Sequence, residues 1–568
     1  MSKLIQQSVA IFLGIVLTIV VVYAQQPTAQ IGQGTLTGLY MKTVNGRLIS
    51  AFLGIPYAKP PIGRHRFKQS IAPEPWVGVY NATVAPDMCL QYSQMSYLTE
   101  TPVIGSEDCL YLNVFTPKVS PSTGPTGLLD VVVYIHGGAF MFFGSQPYGP
   151  EYLLDRDVIL VTFNYRLGVL GFLSTEDNHI PGNNGLKDQN LALKWIKKNI
   201  AAFGGNPNSI TLTGLSAGGA SVHYHMLSPL SQGLFHRAVS MGGSSFCPWA
   251  QVESVKEKSL KIAHHLGCPT NDSLLILKCL RDRPASSIVA ATSLLQPWMY
   301  FPFSPFAPSI EPAGPNAFLS EKPIDIITKG TAADVPYLVT INSDEGLYPG
   351  ADILNDPKVM DEVDTNWNQH MPFILDYNYT APAAQLDAIS GKIREFYMGN
   401  SKIIDAKRPF IKMLGDRLFY DPILKSTKLH AQHYTSPVYA LLFSHRGSRS
   451  TAELFGLTRE TYDGTMHGTD SCYIFRATYS PIEGDPNDLL LSKRLIDYLI
   501  TFIKGAPMPK GWPNVKLNLP NFGFLEIQSA NEQTDTVKIE ADYGNEKFWD
   551  SLNLKENIAV STTTRDEL

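Results

Sequence analysis

The amino-acid sequence predicts an α/β protein with a large, mostly parallel central sheet flanked by helices on both faces. Two observations carry that prediction. Short apolar runs bounded by turn residues alternate along the chain with longer segments of helical period, as buried parallel strands joined by crossover helices require. Near the middle, in SITLTGLSAGGASVHY (Ser209–Tyr224), a β-rich run stops at Gly214, turns over Ser216 and restarts as a small-residue, helix-compatible segment. Sheets of this class gather their chemistry at the carboxyl ends of strands, where this serine falls.

In chain order, Asp130–His136 and Val158–Asn164 read as buried strands. Leu186–Ala202 reads as a helix, with apolar residues at 191, 193, 195, 196 and 200, stopped by Gly204, Gly205 and Pro207. Ile210–Thr213 is the next strand, and Ala238–Met241 follows the serine helix. Val335–Ile341 and Val438–Phe443 add two more strands, and Asp488–Lys504 is an apolar helix ended by Gly505 and Pro507. The stretch SPSTGPTG, Ser120–Gly127, is a surface turn.

The chain has 568 residues, 44% hydrophobic and 17% charged, which is ample for a large core. A net charge of −5 and the lack of a Lys/Arg-rich run argue against a nucleic-acid partner. Lys3 precedes an apolar run, Val9–Val22, that ends at Val22-Tyr23-Ala24. At about 14 residues it is shorter than the ~20 of a membrane span and reads as a signal peptide over residues 1–24, with no transmembrane anchor left after cleavage. Six cysteines agree with an oxidising compartment, and Asn81, Asn271 and Asn378 each open an Asn-x-Ser/Thr triplet that accepts a glycan where exposed. The final residues, Arg565-Asp566-Glu567-Leu568, resemble the retrieval signal of the endoplasmic reticulum. The lumen of that compartment is the expected location, with secretion as the alternative, and residues 25–564 are expected to form a single domain.

The chemistry starts at the corner. A serine hydroxyl is a poor nucleophile unless it is exposed and touches a base. A tight strand-to-helix turn lifts Oγ clear of the backbone and forces tiny neighbours, which Gly214 and Gly218 supply. The helix that follows aims its N-terminal N–H groups where negative charge develops. A second element, His136-Gly137-Gly138-Ala139-Phe140, directly follows a strand, and its small residues let backbone N–H groups approach a substrate oxygen. No lysine follows at the spacing a phosphate-binding loop needs. The serine requires a base and an orienting acid, in chain order Ser, Asp/Glu, His. Asp344 and Glu345 both follow the strand Val335–Ile341 and stand as alternatives for the acid; His467, flanked by Gly464 and Gly468 beyond Val438–Phe443, is the candidate base. His223 and His225 lie in the serine's own helix, too constrained to reach Oγ. No metal or cofactor is called for.

With these pieces the chain resembles the type-B carboxylesterases, the family that also contains the cholinesterases, from about Gly34 to about Ile527. The markers are Phe52–Ala58 (FLGIPYA), Ser106–Val114 (SEDCLYLNV), Asn164–Gly168 (NYRLG), Gly182–Gln189 (GNNGLKDQ) and Phe203–Pro207 (FGGNP). Ser221–Pro229 (SVHYHMLSP) and His370–Thr380 (HMPFILDYNYT) are similar to insect esterases of the type overproduced in insecticide-resistant aphids. The resemblance implies an α/β-hydrolase fold, a nucleophile at Ser216, the acid at Glu345 and the base at His467. It also implies oxyanion N–H groups from Gly138, Ala139 and Ala217, and disulfides Cys89–Cys109 and Cys268–Cys279. Cys247 and Cys472 remain as buried thiols or a third bridge. Phe301, Phe303 and Phe306 fall where the family builds its acyl pocket.

Leu215 stands where cholinesterases carry Glu, and the Cys89–Cys109 loop contains no Trp, which speaks against a choline substrate. Ala139 replaces a frequent glycine, and Met241-Gly242-Gly243-Ser244 departs from the commoner Ser-Gly-Ser pattern. The implied activity is hydrolysis of small to medium apolar esters through a serine acyl-enzyme. A narrow-substrate hormone or pheromone esterase and a non-catalytic relative are the alternatives.

Overall fold

The computed structural model describes residues 26–93, 102–119, 127–448, 450–479, 482–509 and 511–556. The segment 1–24 expected to be a signal peptide, the tail 565–568 and most of the Ser120–Gly127 turn lie outside these. Eleven strands form the main sheet: β1 (Leu39–Lys42), β2 (Leu48–Pro56), β3 (Tyr111–Thr116), β4 (Leu129–Ile135), β5 (Val158–Phe163), β6 (Gly205–Leu215), β7 (Arg237–Met241), β8 (Tyr337–Asn342), β9 (Val438–Phe443), β10 (Phe522–Ile527) and β11 (Thr536–Glu540). Their spatial order is β11-β10-β9-β8-β7-β6-β4-β5-β3-β2-β1. From β10 across to β5 every pairing is parallel, and the pairings beyond, on either side, are antiparallel.

All residues of β5 and β8 are buried, as expected of strands covered on both faces. The apolar runs predict β4, β5, β7, β8 and β9 within one or two residues, while β6 begins at Gly205 rather than at the predicted Ile210. The sequence reading did not include the edge strands β1 and β11, nor β2, β3 and the fully buried β10. β1 alternates between partial and full exposure and β11 is exposed at all but its middle residue, so they lack the apolar run that marks a doubly covered strand. The strands carrying the site are the buried ones, and their carboxyl ends converge on one side of the sheet.

The predicted helix after β5 is α1 (Asn184–Asn199), continued by a tighter turn over Ile200–Phe203. The serine helix is α2 (Ala217–Leu227), and the apolar helix near the end is α3 (Pro486–Ile503). Asp485 caps α3 by accepting the Asn487 N–H, with Pro486 in the first turn. Among the described residues no helix is long and apolar enough to cross a membrane.

Every residue of α2 is buried, which forces its two histidines to find partners. His225 Nε2 lies 3.0 Å from Gln189 Oε1 and Nδ1 lies 2.7 Å from Ser231 Oγ. The amide oxygen can only accept, so Nε2 carries the proton and Nδ1 accepts from the serine. Burial pushes the imidazole pKa down to about 3. The folded ring stays neutral while the unfolded ring titrates near 6.5, so this group's stabilisation is full above that pH and declines as pH falls. His225→Gln should therefore be less stable than the parent at pH 7. The deficit should shrink by about 2 kcal/mol between pH 7 and pH 5. Urea titrations at the two pH values read this directly, and an unchanged gap would contradict it.

Disulfides join Cys89 to Cys109 and Cys268 to Cys279. Cys247 and Cys472 are buried thiols and form no third bridge. Asn81 and Asn271 are exposed, the former accepting a 2.9 Å hydrogen bond from Thr83 Oγ1. Asn378 is half-buried and its side-chain oxygen is shut away from solvent.

Candidate active site

Ser216 occupies the corner between β6 and α2 at φ +58° and ψ −120°, a strained conformation for an L-residue. Close backbone packing holds it there. A Cβ on Gly214 would lie 2.4 Å from the Gly218 carbonyl, and one on Gly218 would lie 2.0 Å from Ile135 O. The serine's own N–H donates to Met241 O at 2.7 Å, and its carbonyl accepts from the Ala220 N–H at 2.8 Å. The corner is thus locked to β7 on one side and to the first turn of α2 on the other.

The small-residue loop after β4 lies against this corner. A Cβ on Gly137 would approach Leu215 O at 2.8 Å and Ser216 Cβ at 3.0 Å. Gly138 sits at φ +97° and Ala139 at φ +54°. Ser304 Oγ donates to Ala139 O at 2.8 Å, and the Gly168 N–H donates to Phe140 O at 2.7 Å. The loop's carbonyls are thereby tied back into the protein. Among the described residues the N–H groups of Gly138 and Ala139 donate to no protein acceptor. Ala217 opens α2, and its N–H is one of the first-turn donors that a helix cannot satisfy internally.

His467 Nδ1 lies 2.5 Å from Glu345 Oε2. Glu345 is fully buried, and its other oxygen accepts from the Asn342 N–H at 2.7 Å and Asn342 Nδ2 at 3.3 Å. Asp344, the residue before, turns away from the imidazole. It accepts from Tyr462 OH at 2.9 Å, the Thr465 N–H at 3.1 Å and Ser343 Oγ at 2.8 Å, so it pins the segment leading to His467. Of the two acids that follow β8, only Glu345 meets the imidazole. His467 Nε2, on the far side of the ring, is buried with no protein hydrogen-bond partner. Ser216 and His467 line the same cavity without a direct hydrogen bond between them; contacts of this type often tighten only when a reactant is bound.

Sequence reasoning missed the network behind the acid and the fit of the base. Asn342 Nδ2 also donates to Asp470 Oδ1 at 3.1 Å, and Thr340 Oγ1 donates to Asp470 Oδ2. Asn342 therefore bridges two buried carboxylates. Burial, with the nearby Glu345 charge adding to it, pushes the Asp470 carboxyl up. Gly242, a departure from the commoner pattern, has φ +55°, and a Cβ there would stand 2.8 Å from His467 Cε1 and 2.9 Å from Nδ1. In this chain the imidazole edge lies where a side chain at position 242 would be.

The cavity has a volume of about 330 Å³ and aromatic walls. Phe142, Phe143, Tyr148 and Tyr479 contribute to the lining, as do Tyr300, Tyr348, Leu454 and Phe455. Phe301, Phe303 and Phe306 correct the expectation of an acyl pocket: all three are buried and none lines the cavity. Phe301 stacks between Trp298 and Tyr300, while Phe303 packs on Trp249 and Tyr348. The segment is at the site, but these rings brace its wall from behind, and Tyr300 and Tyr348 form the lining. Leu215 also lines the cavity, in contact range of Gly468. His223 is committed elsewhere: its Nε2 is 2.8 Å from His430 Nε2, and its Nδ1 accepts the Ser245 N–H at 3.2 Å.

The carboxylesterase family model matches residues 25–547. The chain belongs to the carboxylesterase family. Among its relatives, Esterase FE4 of Myzus persicae is 43% identical over 486 residues, covering 85% of each chain. Esterase E4 of the same aphid is 41% identical over 524 residues, covering 90% of this chain and 94% of that one. A crystal structure of juvenile hormone esterase from Manduca sexta, with OTFP covalently attached, superposes with a TM-score of 0.80. It is 26% identical and covers 93% of this chain and 99% of that one. This carboxylesterase-family protein is thus an ester hydrolase with an α/β-hydrolase fold, and the family resemblance read from FLGIPYA, SEDCLYLNV and the serine corner holds.

Proposed function

We propose that this enzyme hydrolyses small to medium apolar carboxylic esters by two-step acyl transfer on Ser216. The observation that carries the reading is a single aromatic cavity in which Ser216 and the Glu345-bound His467 meet beside the open amides of Gly138 and Ala139. His467 Nε2 accepts the hydroxyl proton as Ser216 Oγ attacks the ester carbonyl, and returns it to the departing alkoxide. Glu345 keeps the other ring proton on Nδ1 and stabilises the imidazolium as it forms. The N–H groups of Gly138, Ala139 and Ala217 hold the negative oxygen of the tetrahedral intermediate. Water then attacks the acyl-enzyme by the same route and frees the acid.

The size and aromatic lining of the cavity support compact, apolar acyl and alcohol parts. Treatment with an organophosphate should place one phosphoryl group on Ser216, visible as a mass shift in its peptide, in proportion to lost activity. Across an ester series of increasing length, kcat/KM should rise with added methylenes and then collapse once the substrate outgrows the cavity. Inactivation with the adduct on another residue would reject the reading.

A further inference from the structure

The rod of helix from Lys407 to His433 contains one π-helical turn, Asp416–Tyr420. Such turns add a residue to the helix and recur at functional sites. This one lies against the acid and the base. The rod abuts the Glu345 loop at the backbone, since a Cβ on Gly346 would lie 2.1 Å from Ile411 O and 2.5 Å from Gly415 N. Tyr420 OH accepts the Glu345 N–H at 3.0 Å and donates to Asn342 O at 2.7 Å, spanning the turn that presents the carboxylate. The Phe419 ring centre is 4.5 Å from that of His467. Two successive residues of this turn thus lie against the two members of the acid–base pair, Phe419 on the imidazole and Tyr420 on the backbone of the acid's loop. The turn is itself anchored, by Trp249 Nε1 donating to Leu418 O at 2.8 Å and by the buried Arg417–Glu556 pair at 2.5 Å.

We propose that Phe419 and Tyr420, delivered together by this π-helical turn, are positioning residues for the Glu345–His467 pair. Tyr420 fixes the backbone that aims the carboxylate, and Phe419 offers an aromatic surface to the imidazole, which favours its charged form. The inference rests on the acyl-transfer reading above. Among the described residues, the ionisable groups that interact with the imidazole include Glu345 from the loop after β8, Asp470 from its own segment and the Tyr348 phenol. The two carboxyl groups favour the imidazolium, and loosening Glu345 weakens the stronger of those effects. The base acts only when neutral, so losing either support disfavours the imidazolium and should move the acid limb of the rate profile to lower pH, even as the maximum falls.

The test compares Tyr420→Phe and Phe419→Leu with the parent, measuring kcat and KM on one ester from pH 5 to pH 9 and the thermal midpoint. In Tyr420→Phe, kcat should drop at least about tenfold with KM within about twofold. In both variants the acid limb of kcat/KM should move down by about half a pH unit or more. An unmoved acid limb in both variants overturns the proposal, whether or not activity and thermal midpoint fall together. Ser216→Ala assayed alongside separates the two readings. If it retains turnover, the acyl-transfer mechanism fails; if it is inactive and the acid limb stays put in both other variants, only the positioning role fails.

Discussion

Ser216→Ala should reduce ester hydrolysis by about 10⁴-fold or more, with the fold intact. The loss follows because the proposed mechanism places the attack on Ser216 Oγ, at the corner beside the open amides of the Gly138 loop. His467 is held by Glu345 at Nδ1, which leaves Nε2, an atom with no hydrogen-bond partner among the described residues, as the ring nitrogen open to act as base. Without Oγ the base has no proton to remove, and the open amides of the Gly138 loop have no tetrahedral oxygen to stabilise. The substitution is also structurally mild. The residue is 9% exposed, and the corner is held by main-chain hydrogen bonds and by glycine contacts that the hydroxyl does not make. The thermal midpoint should stay close to that of the parent. Residual activity above about one per cent of the parent would mean that a different residue attacks the ester.

Glu345→Gln and Asp344→Asn should differ sharply, although they change adjacent residues in the same chemical way. In Glu345→Gln the new amide would present an N–H₂ or a weak carbonyl oxygen to Nδ1 and carry no charge to offset the imidazolium. It would also accept the two Asn342 donors less well. A loss of about 10³- to 10⁴-fold in kcat is expected. Asp344→Asn removes the charge from a residue whose partners are Tyr462, Thr465 and Ser343. It should stay within about tenfold of the parent in kcat while lowering the thermal midpoint, because it loosens the segment before His467. Equal losses in the two variants would undo the assignment of the acid.

These two carboxylates show how far sequence reasoning reaches. Their position after β8 was legible from an apolar run ending in Asn-Ser-Asp-Glu-Gly, and position alone left both open. Family resemblance implies Glu345, and of the two it is Glu345 whose carboxylate lies against His467 Nδ1. The aromatic segment 300–306 shows the opposite. Its place at the site could be named from sequence, but which rings face the cavity could not. Facing depends on local backbone turns and on what Trp249, Trp298 and Tyr348 occupy already. Gly242 stood out as an odd residue with no assignable role until the His467 ring appeared within 3 Å of its missing Cβ.

By itself the sequence determined what is local: most of the buried parallel strands, the helices with their stops, and the glycine-flanked corner at Ser216. These follow from periodicity, dihedral preference and the lack of room for a Cβ, which act over a few residues. Tertiary structure alone decided the pairing of Glu345 with His467 across 122 residues, the turning away of Asp344, the lining of the cavity and the π-helical turn beneath the imidazole. Each of these is a competition for one small volume among side chains distant in the chain, settled only when the sheet brings their strands together.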